Sequence, residues 1–461
     1  MIKLDLLFLL INRQDGGINM SERKINSRIS GFFKMSVEER QKIIQNLCDL
    51  KSEDMEYLKQ STNILDKAGQ GHYIENTIAV MHIPLGIATN FKLNGNDYLV
   101  PMAVEEASVV AAASNSAKVA RTEGGFFTSH TLPVMIGQIQ IVGLSDPYAA
   151  RIKILEHEKE IIEVANKQDP ILIKFGGGCI GLNVKVLSET LTESMVIAEL
   201  LVDVRDAMGA NAVNTMNEAV APMLEEITGG KTILRIISNL ADRRIVRARA
   251  VFKVSELETK DMKGEKVVDG ILQAFAFAEA DPYRCSTHNK GIMNGIDAVA
   301  LATAQDWRAI EAGVHAYAAT KVPGKYSPLT SWEKNSSGDL VGTIEIPLAV
   351  GLVGGVARIH PIAQIAFKIL GLKIPGGALL LAEIMAAVGL AQNFGALRAL
   401  ASVGIQAGHM KLHARNLAAS LGAKDEMIDK IIQRITEKDT KVTYENVKEI
   451  YEELKAHILN T

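Results

Sequence analysis

The sequence predicts an α+β fold in which a smaller α+β domain is inserted into a large mixed α/β domain built around long Gly/Ala-rich helices. These helices are indicated by "ALLLAEIMAAVGLAQNFGALRALASVGIQ", residues 378–406, whose small apolar residues allow close packing. The insertion is indicated by residues 133–238, where strand-like alternation and charged amphipathic helices replace the Ala-rich pattern. A charged segment, residues 401–461, predicts a helical appendage that acts as a mobile flap.

The large domain is predicted to comprise residues 27–132 and 239–400. In its first part, residues 36–60 combine a Ser cap, early acids and helical spacing, which predicts one or two short helices. The turn "NGND", residues 94–97, predicts a hairpin between two strands. Residues 104–121 predict an Ala/Ser-rich helix.

The second part of the large domain holds the most unusual stretch of the sequence. "THNKGIMNGID", residues 287–297, sets Lys290 among small and neutral polar residues and predicts a polar loop. "DAVALATAQDWRAIEAGVHAYAA", residues 297–319, predicts an apolar helix after it.

The N-terminal residues 1–26 are predicted to be a disordered or weakly docked extension. Their apolar run Leu6–Ile11 is too short to span a bilayer and no small-residue cleavage signal follows it, although a short signal peptide stays a minor alternative. Met20 is a second possible initiator besides Met1.

Composition indicates a soluble globular protein that acts on small molecules. The chain has 461 residues, 48% hydrophobic and 22% charged, with 50 basic against 53 acidic side chains, so no bulk positive field favours nucleic acid or a membrane surface. Cys48, Cys179 and Cys285 lie far apart without CxxC spacing, which argues against a disulfide scaffold or a thiolate zinc site and favours the cytoplasm.

Two glycine-containing motifs in the insertion are ambiguous by themselves. "RDAMGANAVNTM", residues 205–216, places Gly209 where a strand gives way to a helix, a position that suits a phosphate. It is not GxGxxG, and spacing alone favours a plain turn and helix. "FGGGC", residues 175–179, permits either close backbone approach or a flexible turn, and a nucleophilic Cys179 is the minority interpretation.

Several acid and base candidates need a fold to bring them together. Glu105 and Glu106 precede an apolar helix, where acids ordinarily complement the helix dipole. Lys290 and Asp306 lie too far apart for a helical pair. His409 and His413 share a helix face, but the zinc motif HExxH needs a glutamate beside the first histidine, so a lone general acid is the better hypothesis.

Taken in order, these segments resemble class II 3-hydroxy-3-methylglutaryl-CoA (HMG-CoA) reductases, the soluble type of bacteria and archaea. The resemblance covers nearly the whole chain from about Ser27. Its motifs are "ENTIAV", "VEEASVVAAAS", "GGFFTS", "DVRDAMGANAVNTM", "ISNLAD", "DPYRCSTHNKGIMNGIDAVALATAQDWRAIEAG", "SWEKNSSGDLVGT", "GLAQNFGALRALA" and "GIQAGHMKLHARN".

The resemblance implies reduction of HMG-CoA to mevalonate and CoA with two reduced nicotinamide cofactors through a hemithioacetal, or the reverse oxidation. It also implies a ferredoxin-like nucleotide-binding fold for the insertion, and no metal. The implied catalytic residues are Glu106, Lys290, Asp306 and His409. The implied HMG-binding residues are Ser108, Arg284, Thr287, Asn294 and Asn393. The implied dinucleotide-binding residues are Asp169, Asp206, Met208, Gly209, Asn211, Asn239 and Gln392.

Lys290 would stabilise the oxyanion, Asp306 would keep Lys290 charged, Glu106 would donate a proton, and His409 would protonate the CoA thiolate. Asp169, ahead of the glycine run, favours NADH because a carboxylate accepts the ribose 2′-hydroxyl and repels a 2′-phosphate. NADPH stays possible because Lys167 and Lys174 are close by in the sequence. The family's active sites lie between subunits, which implies a dimer or a multiple of it.

The sequence departs from the family pattern at a few backbone positions. Ala79 stands where glycine is usual, Ala107 where proline is usual, and Ala304 with Gln305 where "TGND" is common. These changes put local geometry, and affinity on the CoA side, in question. Lys34 is a weak candidate for a CoA phosphate contact.

Two other functions stay open from the residues alone. One is an acyl transferase with Cys179 or Cys285 as nucleophile, and the other is a non-catalytic CoA- or nucleotide-binding protein. Whether the protein makes mevalonate or oxidises it is also open, because both directions use one site.

Overall fold

The computed structural model describes residues 29, 32–48, 50–67, 74–260, 262–402, 414–415, 417–437 and 442–459. The chain divides into two compact units, Met1–Ile83 and Pro84–Thr461. The helices are α1 Val37–Cys48, α2 Ser52–Lys67, α3 Val109–Ala120, α4 Pro147–Glu156, α5 Glu158–Asn166, α6 Pro170–Lys174, α7 Ala210–Thr228, α8 Gly264–Ala280, α9 Pro282–Ala302, α10 Trp307–Thr320, α11 Gly355–Ile359, α12 Pro361–Leu370, α13 Gly377–Ala401, α14 Asp425–Glu437 and α15 Tyr444–Leu459. The strands are β1 Leu85–Leu93, β2 Asn96–Ala103, β3 Phe126–His130, β4 Val134–Val142, β5 Gly178–Leu187, β6 Met195–Asp203, β7 Lys231–Ile237, β8 Ile245–Phe252, β9 Thr330–Lys334 and β10 Leu340–Pro347.

The first unit contains the two predicted N-terminal helices. Helix α1 begins with a reciprocal capping box: the backbone N–H of Ser36 donates to the Glu39 carboxylate at 2.7 Å, and the backbone N–H of Glu39 donates to the Ser36 hydroxyl at 3.2 Å. Helix α2 follows after a short connection. The prediction of one or two short helices in this segment is confirmed.

A six-stranded mixed sheet in the second unit has the strand order β2-β1-β3-β8-β10-β9. The β1–β2 hairpin turns at Asn94 and Gly95, whose φ angles of 47° and 88° are left-handed at both central positions. That geometry fits the twist of two antiparallel strands, so the predicted hairpin is confirmed. Helices α3, α9 and α13 contribute to the core that covers this sheet, in which the rings of Phe252 and Phe394 stack at 3.8 Å.

A second, antiparallel sheet has the order β5-β6-β4-β7, and all its strands lie within the predicted insertion. Helices α4, α5 and α7 build a separate apolar core against it. Strands β3 and β4 are separated by only three residues but belong to different sheets. The chain therefore passes from one sheet to the other near residue 132, while the independence of residues 133–238 as a domain stays a prediction.

Helix α13 is the longest helix among the described residues. By length and composition it passes the test for a membrane span, but 89% of its most apolar window is buried inside the protein, as in a core helix. Its one acidic residue, Glu383, lies 2.8 Å from Nδ1 of His130 at the end of β3. The carboxylate in this buried helix is thus hydrogen-bonded.

The prediction of a polar loop over residues 287–297 is wrong. The whole stretch lies inside helix α9, which begins at Pro282 with the side chain of Asp281 accepting from the backbone N–H of Arg284. Its glycines indicate close helix packing rather than a turn. A Cβ at Gly295 would lie 2.9 Å from Cγ1 of Val388 on α13, so only glycine allows the two helices this approach.

The apolar helix predicted for residues 297–319 is interrupted. Helix α9 ends at Ala302, Ala304 takes a left-handed φ of 50°, and helix α10 begins at Trp307 with Asp306 as its N-cap. The side chain of Asp306 accepts from the backbone N–H of Ala309 at 3.2 Å. A cap of this kind stops one helix from running into the next.

The charged C-terminal segment is helical in its described parts, α14 and α15. Their buried face forms a small core of its own, centred on Ile431 and Val447. Helical structure in this appendage is as predicted, and its mobility as a flap stays a prediction.

Candidate functional site

Lys290 and Glu106 form an ion pair at the surface of the second unit. Nζ of Lys290 on α9 lies 3.5 Å from Oε2 of Glu106, which lies in the turn between β2 and α3. The two side chains are 62% and 43% exposed, so both groups are open to a ligand. An ammonium and a carboxyl group held side by side can stabilise a developing oxyanion and deliver a proton to it.

Ser108 follows Glu106 and caps the N-terminus of α3 from a left-handed conformation, with φ 77° and ψ −18°. Its hydroxyl makes no capping hydrogen bond, so it is not committed to the helix. The first turn of α3 contains no acidic residue, because Glu105 and Glu106 precede the cap. The interpretation of these two acids as first-turn dipole partners is therefore wrong.

Three predicted residues share one face of helix α9. Thr287, Lys290 and Asn294 follow one another at spacings of three and four residues, which places them on a single stripe. The Thr287 hydroxyl donates to the carbonyl of Tyr283 at 3.2 Å, and Arg284 lies half-buried in the first turn. The helix explains why Lys290 has neutral neighbours in the sequence: its partners come from other elements.

Asp306 lies at the corner between α9 and α10. One of its carboxylate oxygens lies 2.9 Å from Nη2 of Arg308, whose guanidinium also lies over the ring of Trp307. The carboxylate that pairs with Lys290 is Glu106, whereas that of Asp306 pairs with Arg308. A direct role of Asp306 toward Lys290 stays a prediction.

Asn393 and Gln392 lie on the buried face of α13. The carboxamide oxygen of Asn393 accepts from the Thr330 hydroxyl at 3.0 Å and from Nε1 of Trp332 at 2.9 Å, so Asn393 is bonded within the core. Gln392 is also buried, but its Oε1 has no hydrogen-bond partner among the described residues. A buried acceptor left unpaired is costly unless a ligand or water supplies a donor.

The N-terminus of helix α7 is built to approach an anion. Gly209 caps it with φ 108°, and a Cβ there would lie 2.7 Å from Cγ1 of Val204, so the position requires glycine. The first turn contains no acidic residue, no side chain caps it, and Asn211 is exposed within it. Free N–H groups at the positive end of a 19-residue helix suit a pyrophosphate. Binding of a dinucleotide at this end of the helix stays a prediction.

Asp206 performs a structural task next to that helix. Its buried carboxylate accepts from the backbone N–H of Gly376, at 2.9 and 3.1 Å to its two oxygens, and from that of Ala378 at 2.9 Å. It therefore holds the N-terminus of α13 against the loop that contains Met208, a half-buried residue. Contact of Asp206 or Met208 with a dinucleotide stays a prediction.

Asp169 and Asn239 lie elsewhere around the insertion. The carboxylate of Asp169 accepts from the backbone N–H of Leu172 at 2.9 Å and so caps the short helix α6, with the side chain half-buried. Asn239 is exposed, and its carbonyl oxygen would lie 2.5 Å from a Cβ at Gly313 on α10. These observations leave their predicted contacts with a cofactor untested.

Arg244 supports the loop before α7 that contains Ala207 and Met208. The sequence patterns did not single out this residue. Its buried guanidinium donates to the carbonyl of Ala207 at 3.0 Å and to that of Val350, and burial lowers the pKa of the group to about 10. The available signal was the pair of arginines in "ADRRIV" shortly after Asn239. A guanidinium that ties two loops together in this way is a positioning group.

The cysteines do not resemble nucleophiles. Cys179 is buried, and burial raises the pKa of its thiol to about 11. Cys285 is buried too, and burial likewise raises its pKa. A thiol needs the opposite shift to be reactive near neutral pH, so the acyl-transferase hypothesis loses its support.

Some predicted residues cannot be placed. His409 and His413 lie outside the described residues, and so does the N-terminal extension 1–26. No group of three or more potential metal ligands occurs within the part of the chain that the structure describes.

The helical scaffold, the two sheets and the exposed Lys290–Glu106 pair fit a class of nicotinamide-dependent reductases. The family described as hydroxymethylglutaryl-coenzyme A reductase matches residues 36–414. The chain belongs to this family, and within it to class II.

Individual relatives agree with this assignment. The chain is 53% identical to the 3-hydroxy-3-methylglutaryl-coenzyme A reductase of Archaeoglobus fulgidus over 435 residues, 94% of this chain and 96% of the relative. A reductase structure from Streptococcus pneumoniae is similar with a TM-score of 0.70 and 37% identity, covering 92% of this chain and 99% of that one. A class II structure from the same organism, bound to NADPH in open conformations, has a TM-score of 0.69 and 36% identity, covering 91% and 100%.

Proposed function

We propose that this chain reduces HMG-CoA to mevalonate and CoA at a site centred on Lys290 and Glu106, the reaction that its family membership implies. The observation that carries the proposal is the Lys290–Glu106 pair, in which Nζ and Oε2 lie 3.5 Å apart and open to a ligand. The unbonded hydroxyl of Ser108 lies two residues from Glu106, and Thr287 and Asn294 flank Lys290 on its helix face. A carboxylate-bearing thioester substrate suits such a set of donors.

The first half of the reaction places negative charge on the thioester oxygen. The bound nicotinamide supplies hydride to the thioester carbonyl. Lys290 stabilises the resulting oxyanion, and Glu106, in its protonated carboxylic acid form when substrate is bound, supplies the proton that completes the hemithioacetal. Asp306, at the α9–α10 corner, contributes in this proposal a second carboxylate whose negative charge complements the Lys290 ammonium.

The second half of the reaction requires a thiol to leave. The hemithioacetal C–S bond breaks, mevaldehyde forms, and the thiolate of CoA must gain a proton before it can attack the aldehyde again. His409 supplies that proton in this proposal, and the flap that contains it opens to exchange oxidised cofactor for reduced. Mevaldehyde then accepts a second hydride and a proton to give mevalonate.

Replacement of His409 separates these two halves. The variant His409→Gln should still reduce free mevaldehyde at a rate close to that of the parent protein, since no CoA thiolate forms, whereas HMG-CoA reduction should fall by about 10²-fold or more. The measurement is steady-state cofactor oxidation with each substrate, with His157→Gln in the insertion as the matched control. Equal losses on both substrates would contradict thiol protonation by His409.

The cofactor is proposed to bind across the N-terminus of α7, with its pyrophosphate near Gly209 and Asn211. Asp206, Met208, Asn239 and Gln392 complete the proposed site. The negative charge of Asp169 beside the glycine run supports NADH over NADPH, because it would repel a 2′-phosphate. The related Streptococcus pneumoniae structure holds NADPH, so NADPH is the alternative.

We also propose that the protein works in the cytoplasm as a dimer or a multiple of it. Lys290 and Glu106 are exposed in the single chain, as expected for a site that a second subunit completes. Light scattering of the purified protein gives the oligomeric mass directly.

A further inference from the structure

Four side chains form a hydrogen-bonded chain that joins α9, α10 and the segment 321–329. Asp297 on α9 and Glu311 on α10 share a side-chain hydrogen bond. The other end of the Glu311 carboxylate lies 2.8 Å from Nε2 of His315, and Nδ1 of His315 lies 2.7 Å from the hydroxyl of Tyr326. Two carboxyl groups in direct contact can bond only if one of them holds a proton.

The surroundings show which carboxyl group holds that proton. Burial, followed by the effect of Glu311, raises the pKa of Asp297 to about 8. The hydrogen bond from His315 comes first among the causes that lower the pKa of Glu311. Asp297 is therefore the protonated partner, and its hydroxyl donates to an ionised Glu311 that also accepts from His315. One oxygen of Asp297, Oδ1, is buried without a hydrogen-bond partner among the described residues.

The Asp297–Glu311 pair links the two helices on either side of the α9–α10 corner, which contains Asp306. Asp297 precedes the end of α9 by five residues, and Glu311 follows Asp306 by five residues. The corner contains Ala304 in a left-handed conformation, with φ 50°, where a non-glycine residue is strained. Strain of this kind persists only when surrounding contacts hold it.

A second set of contacts holds the same corner through Gln305. The carboxamide of Gln305 donates to the carbonyl of Gly351 at 3.0 Å and accepts from its backbone N–H at 2.8 Å. Gly351 in turn packs so closely on the loop before α7 that a Cβ there would lie 2.3 Å from the backbone nitrogen of Met208. The corner is thus held by the Asp297–Glu311 pair and by the hydrogen bonds between the Gln305 carboxamide and the backbone of Gly351.

We propose that the Asp297–Glu311 pair, which links α9 to α10, is a positioning element that fixes the α9–α10 corner and thereby the placement of Asp306 relative to Lys290. This inference rests on the proposed function. Asp297 lies on the same stripe of α9 as Lys290 and Asn294, seven residues beyond Lys290. Loss of the shared proton leaves two carboxylates in contact, and their repulsion opens the corner.

Besides burial, the causes of the two pKa shifts are the contact between Asp297 and Glu311 and the interaction of Glu311 with His315. His315 on α10 pairs with Glu311, and Tyr326 bonds to His315. Several charged groups on the elements that pack against α9 form ion pairs of their own. Those other pairs are Glu383 with His130, Asp269 with Lys334, and Asp97 with Arg121. A titration that disappears with Asp297 therefore belongs to this pair.

The test compares pH profiles of kcat and KM for the parent protein, the variant Asp297→Asn and the control Asp269→Asn. The control makes the same aspartate-to-asparagine change at an exposed residue that pairs with Lys334. Asparagine keeps a donor toward Glu311 at every pH. The parent and the control should lose kcat as pH rises through about 8, the pKa of Asp297, with KM changed less. Asp297→Asn should keep its kcat across that range, and an unchanged alkaline limb in this variant would overturn the inference.

Stability gives a readout that does not need turnover. Because folding raises the pKa of Asp297, its contribution to stability is complete below its ordinary pKa and is lost as pH rises through about 8. The thermal midpoint of the parent should fall as the pH rises from the ordinary pKa of an aspartate to about 8. The midpoint of Asp297→Asn should fall less over the same pH range. Equal slopes would also overturn the inference.

Two further measurements separate the possible failures. A parent protein that oxidises no cofactor with HMG-CoA at any pH contradicts the proposed function, while the stability slopes still decide the role of the pair. If Asp297→Asn does not fold, Glu311→Gln replaces it, because glutamine also bonds to Asp297 without needing a shared proton. An alkaline limb that survives in Glu311→Gln would likewise overturn the inference.

Discussion

At the scale of single residues, Lys290 is the group on which the proposed reaction depends. Its neutral neighbours in the sequence gave no local reason for a lysine, and its partner Glu106 comes from a turn far away in the chain. The pair could be predicted only from the order of motifs along the whole chain, because no spacing within one helix relates the two residues. The structure brings them together through the packing of α9 on β2 and α3.

Replacement of Lys290 by alanine should abolish most HMG-CoA reduction. An oxyanion that loses its cation should slow turnover by about 10²–10³-fold, while the fold is kept because the side chain is largely exposed. The measurement is kcat with HMG-CoA, together with the circular dichroism spectrum. Lys118→Ala, which removes another exposed lysine on α3, should leave kcat unchanged, and near-normal turnover in Lys290→Ala would contradict the assignment.

Asp206 shows what residue patterns could not predict. The motif "RDAMG" indicated a helix start with a possible anion site, and α7 does begin there. The carboxylate of Asp206, however, bonds to backbone groups of Gly376 and Ala378, about 170 residues further along the chain. Contacts of that range depend on tertiary structure, which local sequence does not encode.

At the scale of elements, helix α9 is the main departure from the sequence predictions. Glycine and asparagine are poor helix formers, so "THNKGIMNGID" favoured a loop. Tertiary packing overrides that preference, because the small residues of α9 let α13 approach closely. The Pro282 that follows the Asp281 cap was the local signal for a helix start.

Two glycines in α9 test this explanation as a matched pair. A Cβ at Gly291 would meet nothing within 4 Å, so Gly291→Ala should raise the thermal midpoint, by removing chain entropy worth about 0.4–1 kcal/mol. A Cβ at Gly295 would lie 2.9 Å from Val388 and 3.1 Å from Gln392, so Gly295→Ala should lower stability by about 1–3 kcal/mol. Thermal denaturation followed by circular dichroism measures both. Equal effects of the two variants would contradict close packing of α9 on α13.

At the scale of the whole molecule, the sequence predicted a mixed α/β part with long Gly/Ala-rich helices and an α+β insertion, and the structure contains both kinds of element pattern. The hairpin, the helices of the insertion and the helical tail follow from turn chemistry and periodicity. The change of sheet between β3 and β4 falls at residues 131–133, beside the boundary that the sequence predicts between residues 132 and 133. The order of strands within each sheet does not follow from the sequence, because alternation along a strand does not say which strands pair. The comparisons with relatives show the family, whereas the cofactor preference and the subunit arrangement depend on experiments with this protein.

The central claim is a four-electron reduction at the Lys290 site, and its most direct test is a stoichiometry. Purified protein is mixed with HMG-CoA and either NADH or NADPH, and oxidised cofactor and free CoA thiol are counted in the same sample. The account predicts two cofactor molecules oxidised per CoA released, with the faster rate for NADH, and neither product with Lys290→Ala. CoA release without cofactor oxidation, or one cofactor oxidised per CoA, would contradict it.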